Sequence, residues 1–184
     1  MKLHIPTLVL ATLLSCGSIA QAGVITFDNP GAIVIDPVTN VASYSEAGFV
    51  ISGDAATFLT LADGLVGFSG APLSLKPEAG GLFSLFGLDS EFFDIGFDEV
   101  PGDLSVTGLL DGVPVVSTLL ALGSSASTTF GSDWAKLTEV SFIATSAFKL
   151  DNIAANGVPE PGSAALVALA LLGLAMQGGR RRRA

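Results

Sequence analysis

The middle of the chain consists of short apolar segments separated by turn-forming residues. Between residues 23 and 157, runs rich in Val, Ile, Phe and Thr alternate with Gly, Asp, Pro and Asn, and no helical stretch keeps a period of about 3.6 residues. This pattern predicts an all-β fold, an antiparallel β-sandwich. The predicted strands are 24–27, 32–35, 48–52, 57–61, 82–88, 92–97, 104–110, 113–119, 127–130, 137–144 and 148–154.

The clearest local signal is a β-hairpin around Asp111-Gly112. Two apolar runs, 104–110 and 113–116, flank this dipeptide. Asp-Gly favours a type I′ turn, whose twist matches that of paired strands. Pro114 cannot donate a ladder hydrogen bond, so it predicts that the second strand lies near an edge or contains a bulge.

The last two predicted strands each have one mostly apolar face, as half-buried strands require. The apolar positions are Val140, Phe142 and Ala144 in one strand, and Phe148 and Leu150, continued by Asn152, in the other. The run from Gly64 to Gly81 is rich in Gly and Pro, and we predict that it forms loops at one end of the sandwich. No phosphate-binding glycine motif is present in the sequence.

The first 22 residues have the three parts of a secretory signal peptide. Lys2 gives a positive start, residues 8–14 an apolar segment, and Ala20-Gln21-Ala22 a cleavage site before Gly23. An alternative is lipidation at Cys16 after Leu13-Leu14-Ser15, although Leu14 is bulky for such a motif.

The other end carries an apolar run, 164–176, followed by four arginines, Arg180, Arg181, Arg182 and Arg183. As a helix this run spans about 20 Å, against a hydrocarbon core of about 30 Å, so it is a marginal anchor. The arginines favour a cytoplasmic C-terminus, which places the domain between the two ends outside the membrane.

The tail resembles a PEP-CTERM sorting signal. Its motif is Val158-Pro159-Glu160-Pro161-Gly162, followed by an apolar helix over 163–179 and the arginine cluster 180–183. The resemblance implies export by a Gram-negative bacterium that makes extracellular polysaccharide. It also implies processing by an exosortase, a membrane-embedded cysteine transpeptidase, after transient anchoring in the inner membrane. The alternative is an ordinary single-pass anchor after a Pro-rich linker.

Charge and composition narrow the function of the domain 23–157. Lys2 and the four arginines account for five of the 8 basic residues, and Glu160 for one of the 17 acidic residues, so the domain has a net charge near −13. Such a charge repels a phosphate backbone, so we predict no nucleic-acid partner. It suits hard cations such as calcium.

The single histidine, His4, and the single cysteine, Cys16, both lie in the predicted signal peptide. The mature domain therefore has no Ser-His-Asp triad, Cys-His pair, His or Cys zinc site, or disulfide bond. We predict that it is not an enzyme.

The domain also resembles the jelly-roll body of exported PEP-CTERM cargo, which is similar to carbohydrate-binding modules and legume-lectin-like sandwiches. The matching segments are Phe27-Asp28, Gly48-Phe49, 86–90, the hairpin, Trp134 with 140–142, and 148–153. The resemblance implies that the first and last strands lie side by side. Asp28 and Asp151 would then share a calcium ion with backbone oxygens; alternatively, Asp151 and Asn152 make local hydrogen bonds.

Two further groups of residues are candidates for chemistry. Paired carboxylates are the groups a glycosidase uses, although acids at alternating strand positions usually form a solvated face. Trp134 and Tyr44 are candidates for stacking on sugars, but for Trp134 we favour packing in the core, because large aromatic side chains are on average well buried. The candidate acids are Asp89, Glu91, Asp94, Asp98, Glu99 and Asp103.

The sequence therefore predicts a non-catalytic protein of the cell surface or extracellular matrix that binds glycan weakly. A two-carboxylate glycoside hydrolase and a ligand-free scaffold are the alternatives. Acids converging in a cleft beside Trp134 or Tyr44 would favour the hydrolase.

Overall fold

A computed structural model describes residues 22–28, 33–96 and 100–158 of the 184-residue chain. Several predictions concern residues outside these ranges: the signal peptide as far as Gln21, the tail over 159–184 with its apolar helix, and the candidate acids Asp98 and Glu99. Within them, the structure contains no helix with the length and apolar character needed to cross a membrane.

The described chain forms two antiparallel sheets, which confirms the predicted all-β sandwich. The first sheet has the order β11-β8-β13-β6-β5, with β1 also paired to β13; the second has the order β10-β9-β12-β7-β4-β3-β2. The strands are β1 (Ala22–Ile25), β2 (Ile33–Asp36), β3 (Val41–Glu46), β4 (Phe49–Asp54), β5 (Phe58–Leu61), β6 (Gly64–Gly67), β7 (Leu73–Pro77), β8 (Leu82–Phe92), β9 (Asp103–Leu110), β10 (Val113–Ala121), β11 (Ala126–Thr129), β12 (Glu139–Ala144) and β13 (Phe148–Val158).

A single hydrophobic core lies between the sheets. Alternate residues of both sheets are buried in it, and the rings of Phe49 from β4 and Phe83 from β8 meet edge to face with centroids 5.5 Å apart. Burying each large apolar side chain contributes about 1.5–3 kcal/mol, so the cluster is the main source of stability. Its largest fully buried members are Tyr44, Phe27, Phe83, Phe142, Phe148, Ile25, Ile51, Leu65, Leu73, Leu75, Leu85 and Leu88.

The predicted hairpin is confirmed as β9 and β10. Asp111 and Gly112 have φ angles of 52° and 79°, the two positive values that a type I′ turn requires. The strand register shifts between Pro114 and Val116, and β10 is the edge strand of the second sheet. Pro114 therefore lies at a bulge in an edge strand, as its lack of a backbone N–H donor predicted.

The prediction of loops over residues 64–81 is wrong for two parts of this run, which form β6 and β7 inside the two sheets. All four residues of β6 are buried, and β7 lies between β4 and β12. A Cβ atom on Gly67 would lie 2.5 Å from Cζ of Phe148, so this glycine permits a close approach of β13. Here glycine reflects packing inside a sheet instead of a turn.

The prediction of a strand over 92–97 is also wrong. β8 continues as far as Phe92, and residues 93–96 are irregular. The Asp94 carboxylate accepts a hydrogen bond of 2.7 Å from the Gly96 N–H, and Gly96 has a φ of 81°, which together form a turn.

Asn152 is exposed, although the alternation in sequence put it on the apolar face. The register between β13 and β8 shifts after Asp151, and Asn152 has a φ of 47°. This bulge moves Ile153 and Ala155 onto the core side, where both are buried.

Candidate functional site

The first and last strands of the domain lie side by side, as the resemblance implied. β1 pairs with β13 antiparallel, and Ala22 lies opposite Asn156 while Ile25 lies opposite Ile153. Asp28 follows the end of β1 and Asp151 precedes the bulge in β13, so the pairing brings the two carboxylates into the same region.

The carboxylate of Glu46 fixes the chain that leaves β1. Its Oε2 atom accepts hydrogen bonds of 3.0 Å from the backbone N–H groups of both Thr26 and Phe27, and one of 3.1 Å from the Tyr44 hydroxyl. Phe27 has a φ of 56°, which costs free energy for a bulky residue, and these bonds offset that cost. Asp28 is thereby held at the surface, where its Oδ2 accepts a hydrogen bond of 2.7 Å from Thr26.

Two carboxylates lie directly opposite each other on the outer face of the first sheet. Asp89 of β8 pairs in register with Asp151 of β13, and Ser127 of β11 pairs with Asp89. The core sides of these strands are occupied by the buried Leu88, Ser90 and Leu150, so the carboxylates point away from the core.

Asn152 bridges the two carboxylates. Its side-chain Nδ2 donates hydrogen bonds of 2.8 Å to Asp89 and 3.2 Å to Asp151, and its backbone N–H donates one of 2.7 Å to Asp151. The Ser127 hydroxyl donates a further hydrogen bond to Asp89. The structure thus contains the local hydrogen bonds that the alternative to a calcium site predicted.

The carboxyl of Asp151 has a raised pKa. Burial raises the pKa of its carboxyl, the Asn152 hydrogen bond lowers it, and the negative charges of Asp89 and Asp28 add to the increase. The net effect raises the pKa of Asp151 above its ordinary value, so ionisation is less favourable here than for an aspartate in the unfolded chain.

Lys149 lies beside this cluster and forms ion pairs with Glu91 and Asp63. Only 15% of its side chain is exposed. Burial opposes its charge, but hydrogen bonds to Glu91 and Asp63 outweigh this effect and raise the pKa of the ammonium group. Glu91 is therefore engaged in an ion pair on the sheet surface.

A shallow cavity of about 50 Å³ opens at this place and is lined by Asp89, Ser90, Glu91, Ser125, Lys149 and Asp151. Since one water takes about 30 Å³ in the liquid, the cavity accommodates water or a small ion and is too small to enclose a sugar ring. Among the described residues, no group of three or more His, Cys, Asp or Glu side chains is arranged to hold a metal ion.

The structure places the two candidate stacking residues in the core. Trp134 is 6% exposed, with its ring centroid 4.5 Å from that of Phe130, and Tyr44 is 2% exposed, with its ring 5.2 Å from that of Phe27. Neither ring presents a face to solvent, so the structure supports their packing role. Asp94 and Asp103 are exposed and lie away from both rings in sequence.

The residue that sequence reasoning missed is Phe86 in β8. Among the aromatic side chains that the structure describes, it alone belongs to the exposed class, at 50%. The sequence contains a sign of this exposure. Leu85 and Leu88 are both apolar but lie three positions apart, whereas residues on one face of a regular strand lie an even number of positions apart. Gly87 lies opposite Ala154 and Leu85 lies opposite Ala155, so Phe86 is the extra residue of a β-bulge.

No family model and no curated protein matches the chain. Among solved structures, TmCBM61 in complex with β-1,4-galactotriose aligns with 61% of this chain and 88% of its own, at 9% sequence identity and a TM-score of 0.36. A likeness of this size carries no conclusion about ligand or activity.

Proposed function

We propose that the chain is an exported, non-catalytic β-sandwich protein that an exosortase-type transpeptidase processes at its C-terminal tail. It is then displayed at the cell surface or in extracellular polysaccharide, where it binds glycan weakly. The observation that carries this proposal is the pairing of β1 with β13.

The pairing brings together the two ends of the described domain, to which the predicted signal peptide and the predicted tail are joined in the sequence. Ala22 ends the predicted signal peptide and lies opposite Asn156, two residues before the predicted sorting motif. Cα atoms of opposed residues in antiparallel strands are about 4.5–5.5 Å apart. A domain whose two ends meet in this way can fold fully on one side of a membrane while either segment is still inserted.

The position of the motif agrees with this arrangement. Val158 is the last residue of β13 and pairs with Leu82, and Pro159 follows directly. Because proline has no N–H to donate to a paired strand, Pro159 favours an end of β13 at the predicted motif. A processing enzyme would thus remove the tail without cutting the sandwich.

The test is processing of the full chain in a Gram-negative host that contains the sorting enzyme. We expect Pro159→Ala combined with Glu160→Ala to leave the tail attached, because the enzyme would read these side chains. The matched control is Pro77→Ala combined with Glu78→Ala, which changes an internal Pro-Glu pair at the end of β7. The size of the mature protein, measured by mass spectrometry, reports both results.

Normal removal of the tail from the double variant at 159 and 160 would show that the motif assignment is wrong. An unprocessed control variant would instead show that general destabilisation blocks export. Mature protein that begins at Met1 in the cytosol would contradict the export part of the proposal.

A further inference from the structure

We propose that the outer face of the first sheet around Phe86 binds pyranose rings of a neutral, extended polysaccharide. This inference rests on the proposed function and adds to it a location and a ligand class. The surface, which we call the Phe86 face, consists of Phe86, Ala154 and Val24, bordered by Asp89 and Asn152.

The Phe86 face lies on the side of the sheet opposite the core. β8 is an interior strand between β11 and β13, and the neighbouring Leu85 and Leu88 are buried on its inner side. An exposed side chain of an interior strand can reach solvent only across the outer face. Phe86 is 50% exposed there.

The apolar floor extends from β8 across β13 to β1. Gly87, next to Phe86, pairs with Ala154, and Ala154 pairs on its other side with Val24, which is 49% exposed. A small residue between two larger exposed ones leaves a shallow apolar strip across three strands. With strands about 4.8 Å apart, the strip is about 10 Å wide, which is comparable to two sugar rings.

Polar groups border one end of this strip. Asp89 and Asn152 lie on the same outer face, and three residues of strand separate Phe86 from Asp89, which is about 10 Å. A pyranose ring has an apolar face of C–H groups and a rim of hydroxyls. One ring can therefore stack on Phe86 while hydroxyls of the next ring donate to the carboxylate of Asp89 and to the amide oxygen of Asn152.

Charge selects against acidic glycans. The domain 23–157 has a net charge near −13, and Asp89, Asp151 and Asp28 lie close to the strip. An anionic polysaccharide would be repelled by this charge, whereas a neutral one would not. The ligand class is therefore a neutral polysaccharide.

The experiment is native gel electrophoresis of the full chain in mild detergent, with a polysaccharide cast into the gel. The neutral probes are soluble β-1,4-glucan, β-1,3-glucan and β-1,4-galactan, and the acidic probe is polygalacturonate. We expect at least one neutral probe to retard the protein and the acidic probe to leave its mobility unchanged.

Phe86→Ala should weaken the retardation about tenfold, the effect of removing an aromatic contact worth about 1.4 kcal/mol. Phe86→Trp should preserve or strengthen it. The matched control is Leu119→Ala, which removes an exposed apolar side chain from β10 in the second sheet. A thermal unfolding curve for each variant separates lost binding from lost folding.

Three results would overturn the inference: no retardation by any neutral probe, equal retardation of Phe86→Ala and the native chain, or equal loss of retardation in Leu119→Ala. Each leaves tail processing unaffected. Conversely, failure of the processing experiment would remove the sorting assignment while binding by the Phe86 face could still be measured.

Discussion

At the scale of single residues, the outer face of the first sheet contains an unfavourable contact. Asp89 and Asp151 are cross-strand neighbours with the same charge, an arrangement that destabilises a sheet. Asn152 and Ser127 reduce the cost by donating hydrogen bonds to these carboxylates. Burial, together with the negative charge of Asp89, raises the pKa of Asp151.

The raised pKa of Asp151 predicts that the effect of Asp151→Asn on the free energy of unfolding depends on pH. The pKa of Asp151 is higher in the folded chain than in the unfolded chain, so the folded state binds the proton more tightly. Stability from this group is present at low pH and is lost as the pH rises through the folded-state value. The variant should therefore be more stable than the native chain at pH 7, by about 0.5 kcal/mol, the scale of one cross-strand pair.

The difference in free energy of unfolding between Asp151→Asn and the native chain should shrink as the pH falls below the pKa of an unfolded aspartate. Urea unfolding curves at a series of pH values measure it. Asp133→Asn, in the exposed turn beside Trp134, is the matched control, because it makes the same aspartate-to-asparagine change at an exposed position. A destabilised Asp151→Asn at pH 7 would show that the hydrogen bonds of its carboxylate outweigh the charge repulsion.

At the scale of strands, β6 shows how glycine can serve the interior of a sheet. Its residues Gly64 and Gly67 face β13, and Cβ atoms at these positions would lie within 2.7 Å and 2.5 Å of Leu150 and Phe148. Without side chains, these residues let β13 approach closely.

Gly67→Ala should therefore destabilise the domain by about 1–3 kcal/mol, the usual cost of forcing an extra group into a packed core. The control is Gly131→Ala, where an added Cβ has no neighbour within 4 Å and φ is −85°. Chemical denaturation of both variants measures the two costs. Equal stability of the two variants would mean that the Phe148 ring moves aside freely.

A strand could be predicted from the sequence where its own residues and those of the adjoining turn determine its structure. The hairpin followed from Asp111-Gly112 and Pro114, because turn geometry and a missing donor depend on those residues alone. β6 and β7 were missed, since glycine and proline have the same local preferences in a turn and in a close packing contact.

The candidate site depended on contacts that are distant in the sequence. The nearness of Asp28 and Asp151 was predicted only through a resemblance, and the bulges that expose Phe86 and Asn152 arise where β8 and β13 lose register. Alternation within either strand does not reveal a bulge that the partner strand imposes. The burial of Trp134 and Tyr44 followed from the general tendency of large aromatics to pack.

At the scale of the whole molecule, the last strand completes the first sheet. β13 pairs with β8 on one side and with β6 and β1 on the other, and its residues Phe148, Leu150, Ile153 and Ala155 are buried. Removing three large apolar side chains from the core would cost about 5–9 kcal/mol, which is comparable to the entire stability of a typical domain.

A chain ended after Ser146 should therefore fail to fold, whereas a chain ended after Val158 should unfold in one cooperative transition. Circular dichroism during heating compares them, and the longer chain is the control because it retains every described strand. Since β1 pairs with a strand more than 120 residues away, the first sheet can close only after the last strand is available for pairing. Cooperative unfolding of the shorter chain would refute this requirement, because the remaining strands would then form a stable sandwich without β13.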